Sequence, residues 1–383
     1  MKKIKSETLL LIVLGIMSFS LGIWLNYRQL WLKSIGFDVT SISKILSVSL
    51  ICSSIIIFII SFFSTKIKLK NILTLSLLFR MISLLILIFI RDNYIVKVCM
   101  LLCIMCENIF GLTFYPLLSL INKSNETYKK YVHVTYFAKD TAVVFCGLML
   151  GLTIGKYTFN YNTCLIIVFI CTLISVLLML LFKENKVIKK NPVKKFIESF
   201  RNIFKDNKIN YYLAGQFVMQ VAYSLVFGMF MIELTEYLNM DVNYASIFVI
   251  LCSILGTIVS NFLSRVSDNF SLLTSYLIKY GTRIVFYIIA FIVNKPIMYI
   301  IVLLLAYITS KILDDKVNGT FIRSIEDDSR FLFGNIRYFV ICIAEGIGIF
   351  LAGVLLDISL IYVFIGGCIL SLIALSIYVL FTR

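Results

Sequence analysis

Residues 38–43 read Asp38-Val39-Thr40-Ser41-Ile42-Ser43, residues 241–246 read Asp241-Val242-Asn243-Tyr244-Ala245-Ser246, and the step of 203 between them also carries Arg80 onto Arg283 without a gap. Apolar helical segments flank both members of each pair. The chain of 383 residues therefore reads as a duplicated hydrophobic unit.

Composition places those units in a membrane. Hydrophobic residues make up 60% of the chain and charged residues 15%, and the mean hydropathy of +0.98 would leave too much apolar surface facing water. Crossing about 30 Å of hydrocarbon takes roughly 20 apolar residues. Twelve stretches qualify: 8–32, 41–63, 71–90, 94–121, 131–155 and 162–182 in the first half, and 210–236, 243–263, 271–293, 296–317, 331–356 and 359–380 in the second. The domains expected are a six-helix half over 1–182, a basic linker over 183–209 and a second six-helix half over 210–383.

Orientation follows from the loops. With a cytoplasmic amino terminus, twenty-four lysines and arginines fall inside, whereas the outside turns hold only Lys33, Arg91, Lys97, Lys156 and Lys295. Both termini are thus expected in the cytoplasm of a bacterial cell, with the protein in its inner or plasma membrane. The net charge of +16 serves topology and anionic headgroups, and no soluble basic domain exists to grip nucleic acid. Lys2, Lys3 and Lys5 precede an apolar run without a small-residue cleavage site, so the first helix is read as uncleaved. Within the linker, Asn191 can cap and Pro192 can open a short helix whose apolar face, from Val193 to Phe204, would lie on the leaflet; the alternative is a solvated linker.

All ten cysteines fall in apolar spans, and His133 is the one histidine. That distribution argues against a disulfide framework and a metal site alike. There is no nucleotide-binding loop, histidine cluster or serine-hydrolase elbow, which argues against an enzyme and against ATP-driven pumping. The expected energy source is a proton or sodium gradient, without a cofactor.

Two six-span halves, cytoplasmic termini and a basic central segment together resemble the major facilitator superfamily over essentially the whole chain. Between the second and third spans the family pattern of Gly, three residues, Asp and further basic residues is represented by Ser61, Thr65, Lys66, Lys68 and Lys70, which keep the basic character without the glycine or the acid. The step of 203 brings Ser264-Arg265-Val266-Ser267-Asp268 opposite this stretch, where the acid is kept. Lys66, Lys68, Lys70, Arg265 and Asp268 are the residues the resemblance implies for a gating latch. In the fourth span, where drug-exporting members resemble Arg, two residues, Gln, Gly, this chain has Glu107-Asn108-Ile109-Phe110-Gly111.

Intramembrane charges are the candidates for chemistry. An ionised, unpaired carboxylate near mid-bilayer costs several kcal/mol, so Glu107 either loads and releases a proton or forms an ion pair with a base such as Arg80. Asp140 and Glu345 are further proton candidates, or else partners for Lys139, Lys279, Arg283 and Arg337. Gly147, Gly151 and Gly155, spaced by four, give the fifth span a flat stripe for close packing and gating. Exporters resemble Gly, three residues, Gly-Pro there, and this chain lacks the proline. Arg80 and Arg283, at equivalent repeat positions, suggest a shared structural task.

The superfamily arrangement implies a cavity lined by the first, fourth, seventh and tenth helices. That brings in Trp24, Tyr27, Arg28, Phe114, Gln216, Gln220, Tyr223, Phe227 and Tyr307, which either bind an amphipathic solute by stacking, cation–π attraction and adaptable amide hydrogen bonds, or face lipid and packing. The resulting expectation is a monomeric, proton-coupled secondary transporter that exports a small amphipathic compound by alternating access. The alternatives are uptake of a nutrient or organic anion, and a sensor or lipid scramblase without solute flux.

Overall fold

The computed structural model describes residues 6–63, 68–121, 161–183, 204–242, 270–293 and 327–382, with scattered positions in 138–141, 201, 244–259 and 299–305. Among the described residues nine helices are long and apolar enough to cross a membrane. They are α1 (Ser6–Ser34), α2 (Val39–Phe63), α3 (Leu69–Phe89), α4 (Asn93–Ile121), α5 (Tyr161–Leu181), α6 (Asn207–Phe227), α7 (Leu272–Val293), α8 (Asp327–Ile358) and α9 (Leu360–Thr382). Each coincides with an expected span. The other three, 131–155, 243–263 and 296–317, lie largely outside the described residues, as does the linker helix.

Helix starts follow local chemistry. The Oδ2 atom of Asp38 accepts from the Ser41 amide at 3.1 Å, and the hydroxyl and amide of Ser41 hold the Asp38 carboxyl below its usual range. The Asp38 carbonyl accepts from the Ile42 amide at 3.0 Å, and the Asp241 carbonyl accepts from the Ala245 amide at 3.0 Å, so the repeated Asp-Val opens the same turn twice. Asp92 caps α4 through the amides of Tyr94 and Ile95. Asp206 caps α6 through Lys208 at 2.8 Å, which starts that helix at Asn207 instead of the expected 210.

Two compact units result: Met1–Phe37 with Val48–Phe196, and Asp38–Ser47 with Ile197–Arg383. The first turns of α2 thus belong to the second unit and the rest of that helix to the first. In the first unit α3 packs on α4 and α5, and α1 on α5 and α4. A core of Leu9, Leu73, Leu77, Phe110, Phe114 and Met179 fills the bundle towards one end. Helix α3 buries Leu73, Leu77 and Leu84 and turns Leu75, Phe79, Ile82 and Phe89 outward, an apolar outer face suited to lipid.

Arg80, fully buried, ties these helices together. Its Nε and Nη2 both donate to Oε1 of Glu107 on α4 at 3.1 Å. Its Nη1 donates to Ser20 Oγ on α1 at 3.1 Å and to Thr172 Oγ1 on α5 at 2.5 Å. Further along, Asn162 Oδ1 accepts from Trp31 Nε1 at 3.4 Å and from Arg91. The Arg91 guanidinium also lies 5.1 Å from the Trp31 ring centroid. Side-chain hydrogen bonds thus join α1, α3, α4 and α5 at the level of Arg80, and α1 and α5 with Arg91, just past α3, at a second.

In the second unit α8 and α9 both pack on α6, and α7 packs on α9. Close approach of α8 depends on Gly348: a Cβ there would stand 2.6 Å from the Val221 carbonyl oxygen and 3.0 Å from the Leu225 amide nitrogen. The span expected over 210–236 runs from Asn207 to Tyr237 and is irregular in its last third. Helix α6 stops at Phe227, a short turn covers Phe230–Ile232, and a π-helical turn covers Glu233–Tyr237. The irregularity begins beside Gly228, where a Cβ would meet the Ser224 carbonyl oxygen at 2.2 Å and Ile349 Cγ1 at 2.6 Å. In the π turn the Leu238 amide donates to the Glu233 carbonyl at 3.1 Å, and Asn239, at φ 51°, ends the segment in the left-handed conformation that asparagine tolerates.

Two outcomes test this architecture by thermal unfolding in detergent. Arg80→Met removes the base that neutralises Glu107 and lowers stability by about 3–5 kcal/mol, with Arg80→Lys in between because it keeps the charge and loses the fork. Gly348→Ala forces α6 and α8 apart and costs about 1–3 kcal/mol, whereas Gly334→Ala, where a Cβ meets nothing within 4 Å, leaves the midpoint unchanged or raises it.

Candidate functional site

Each unit contains a buried polar cluster. In the first, Glu107 is held from two sides. Arg80 binds Oε1, Arg28 Nη1 stands 3.8 Å from Oε2, and Cys103 Sγ lies 3.6 Å from Oε1. Two guanidinium groups therefore share one carboxylate, leaving one unit of positive charge uncompensated within this cluster. The geometry is the ion-pair alternative named for Glu107, extended to Arg28.

The expected lining of the first unit is buried among its own helices. Trp24 is 1% exposed, Tyr27 4% and Phe114 1%. Trp24 packs on Trp31 with ring centroids 6.0 Å apart, and Phe114 packs on Phe110 at 5.3 Å within the apolar core. Trp24 and Phe114 thus lie against aromatic neighbours, and among the described residues Trp24 Nε1 meets no acceptor.

In the second unit α6 presents a half-buried stripe of Gln216, Gln220, Tyr223 and Phe227. Gln216 Nε2 donates to the Tyr378 hydroxyl at 3.0 Å, Gln220 Nε2 donates to Ser224 Oγ at 3.4 Å, and Tyr223 packs on Phe227 at 4.9 Å. Behind the stripe, Tyr378 of α9 stacks on Tyr276 and Tyr280 of α7 at 4.2 and 5.2 Å, with interplanar angles of 12° and 5°. Gly215 makes room for this stack, since a Cβ there would stand 2.7 Å from the Tyr378 ring. Arg283, 3% exposed, lies 5.3 Å from the Tyr223 centroid and 5.9 Å from that of Tyr280. Lys279 lies 5.5 Å from Tyr280.

Glu233, fully buried in the π turn, was not among the sequence candidates. The Tyr299 hydroxyl donates to its Oε2, Oε1 has no hydrogen-bond partner, and no lysine or arginine stands within ion-pair distance among the described residues. An acid near the end of an apolar span was the available signal.

The remaining candidates are dispersed. Glu345 is half-buried on α8. Lys68 precedes α3 in extended backbone, and Lys70 Nζ donates to the Leu180 carbonyl at the end of α5 at 3.4 Å. Asp140, Tyr307, Lys66, Arg265, Asp268, Gly147, Gly151 and Gly155 lie outside the described residues. Among the described residues no three His, Cys, Asp or Glu side chains converge to hold a metal ion.

Comparisons give this geometry a context. A comparison with curated protein sequences finds no match. Among solved structures, a mutant of the nucleoside transporter NupG superposes with a TM-score of 0.74 at 13% identity, covering 99% of this chain and 100% of that one. A POT family transporter in complex with 5-aminolevulinic acid gives 0.74 at 11% identity, over 98% and 94% of the two chains. A bacterial homologue of the iron transporter ferroportin, in an inward-facing state, gives 0.71 at 13% identity over 100% of both. Identities of this size speak for a shared fold. The sequence itself matches the family model of the Major Facilitator Superfamily over residues 8–313, most of its length, and the chain, an all-helical multi-pass membrane protein, belongs to that superfamily.

Proposed function

We propose that this chain is a secondary active transporter of the cell membrane that exports a small amphipathic solute in exchange for protons, with Glu233 as the proton carrier. The supporting observation is the isolation of Glu233. It is buried, receives one hydroxyl hydrogen bond, and has no base at ion-pair distance among the described residues. A proton arriving there neutralises a buried charge, and its departure creates one, which makes proton occupancy a large energetic event. The π turn that holds Glu233 and the irregularity beside Gly228 supply a place where helix geometry can differ between states.

Glu107 is less suited to that task. Protonating it would leave Arg80 and Arg28 buried without their counter-charge. Its role in this reading is to hold α1, α3 and α4. The half-buried stripe of Gln216, Gln220, Tyr223 and Phe227 offers stacking surfaces and amides with little shape selection, in keeping with an amphipathic solute. Both termini are assigned to the cytoplasm, the protein acts as a monomer, and the proton gradient drives it.

Respiring inverted membrane vesicles with a pH-sensitive dye test the reading. Addition of a transported solute is expected to release lumenal acid, a response absent from vesicles without the protein. Glu233→Gln is expected to abolish the acid release while leaving solute counterflow, which needs no net proton movement. Proton-linked transport that survives Glu233→Gln moves the coupling site to Glu107, Asp140 or Glu345, and acid entry with the solute reverses the transport sense to cotransport.

A further inference from the structure

The step of 203 that relates the two units also shows where they part. Leu9, Leu73, Leu77 and Leu84 of the first unit correspond to Tyr212, Tyr276, Tyr280 and Tyr287 of the second. Arg80 corresponds to Arg283, while Glu107, which neutralises Arg80, corresponds to Ser310. The second unit has therefore kept the buried guanidinium, lost the carboxylate at the matching position and gained hydroxyl groups.

The side chains bear this out in space. Arg283 lies between the rings of Tyr223 and Tyr280, and Tyr280 is within electrostatic reach of both Arg283 and Arg337. Arg337, half-buried on α8, reaches the Tyr212 hydroxyl. Among the described residues, no acceptor meets Nε of Arg283, Nε of Arg337, Nδ2 of Asn335 or the hydroxyls of Tyr276 and Tyr287, while the Tyr280 hydroxyl has that of Tyr378 as its hydrogen-bond neighbour. The five unmet groups can all donate a hydrogen bond. Glu233 does not serve as the missing counter-charge, because no ion pair joins it to Arg283 and its Oε2 is taken by Tyr299. A guanidinium resting on two aromatic faces recovers less than its burial costs, so among the described residues a structural role alone leaves the charge unbalanced.

We infer that the second unit binds an oxyanion, carboxylate or phosphate in type, between Arg283 and Arg337 with Tyr280 as its floor, and that this group is the head of the transported solute. The inference deepens the transport reading by naming the substrate class, and it requires neither a direction nor a coupling ion. The chemistry of the site is that of a charge-assisted fork on Arg283 plus phenolic donors. The half-buried stripe of α6, with Gln216 and Tyr223, gives the apolar body of such a solute a surface beside the charge.

Binding can be read without flux, from the thermal midpoint of the full-length protein in nanodiscs of neutral phosphatidylcholine. Benzoate and phenyl phosphate serve as probes, with benzyl alcohol as the uncharged control. A saturable rise with either anion and none with the alcohol is expected. Arg283→Gln is expected to weaken apparent affinity by about tenfold or more, and Tyr280→Phe, which keeps the ring and removes the hydroxyl, by about threefold to tenfold. If Arg283→Gln fails to fold, Tyr280→Phe and Arg337→Gln carry the test. A rise only when phosphatidylglycerol is added supports the oxyanion site but makes a lipid headgroup its occupant. No response to any anion, or a response unchanged in the variants, overturns the inference. Anion binding that persists while Glu233→Gln retains proton-linked transport overturns the proposed proton carrier and leaves the oxyanion site standing.

Discussion

A guanidinium buried inside a helical bundle must be neutralised and have its donors filled, and Arg80 meets both demands by drawing three other helices towards α3. Its fork closes on Glu107 of α4 while its remaining nitrogen is shared between Ser20 of α1 and Thr172 of α5. Apolar packing inside a membrane distinguishes weakly between one helix rotation and another, because lipid tails are as apolar as leucine. A set of directional bonds removes that freedom. The leucine-rich core towards one end and the Trp31, Asn162 and Arg91 cluster further along then have a fixed register to fill.

By the sequence step of 203 the second unit keeps an arginine at the place of Arg80 and changes what surrounds it. Where the first unit stacks leucines, the second stacks Tyr276, Tyr280 and Tyr378, and among the described residues Arg283 has aromatic faces where Arg80 has a carboxylate. Aromatic rings occupy the volume that aliphatic side chains hold in the other half, so the architecture survives the exchange. The polar tips of those rings do not come free, since each hydroxyl in a dry interior calls for a partner. Among the described residues the second unit thus leaves Arg283 Nε and the hydroxyls of Tyr276 and Tyr287 without a partner, as the first leaves Trp24 Nε1 and Arg28 Nε.

Much of this was legible in the sequence. Span positions follow from the hydrocarbon thickness, and α1 to α5 begin and end within a few residues of their expected bounds. The pairing of Arg80 with Glu107 was already one of two readings, because two opposite charges at mid-span have few other ways to be buried. Rotation about the helix axis was not legible: Trp24 and Phe114 belong to spans that the family resemblance assigns to a cavity, yet their side chains pack inward. In an almost wholly apolar helix the polar face that would report rotation is missing. Nor was the irregularity at Gly228 visible, since glycine is frequent in membrane helices and the contacts that exclude a side chain there, with the Ser224 carbonyl oxygen and with Ile349, depend on the folded backbone. Glu233 escaped notice for a related reason, as acids near span ends ordinarily reach water, and only the folded chain shows this one covered.

Coupling between a proton and a helix rearrangement requires that the proton's site differ in free energy between two states. A network such as Arg28, Glu107 and Arg80 is poorly suited to exchanging a proton, because one carboxylate already serves two guanidinium groups and its protonation would leave both without a counter-charge. Glu233 is placed differently. Its backbone lies in a π turn, one residue out of step with an α-helix, five residues beyond the glycine where α6 stops. Redistributing that extra residue along the segment would rotate the carboxylate relative to Tyr299 without unwinding α6, and the hydrogen bond to Tyr299 would form or break accordingly. The same rotation would move the end of the segment that follows the Tyr223 and Phe227 stripe, where the proposed solute rests. Proton occupancy and solute access can then be linked through one helix whose two geometries differ by a single backbone step.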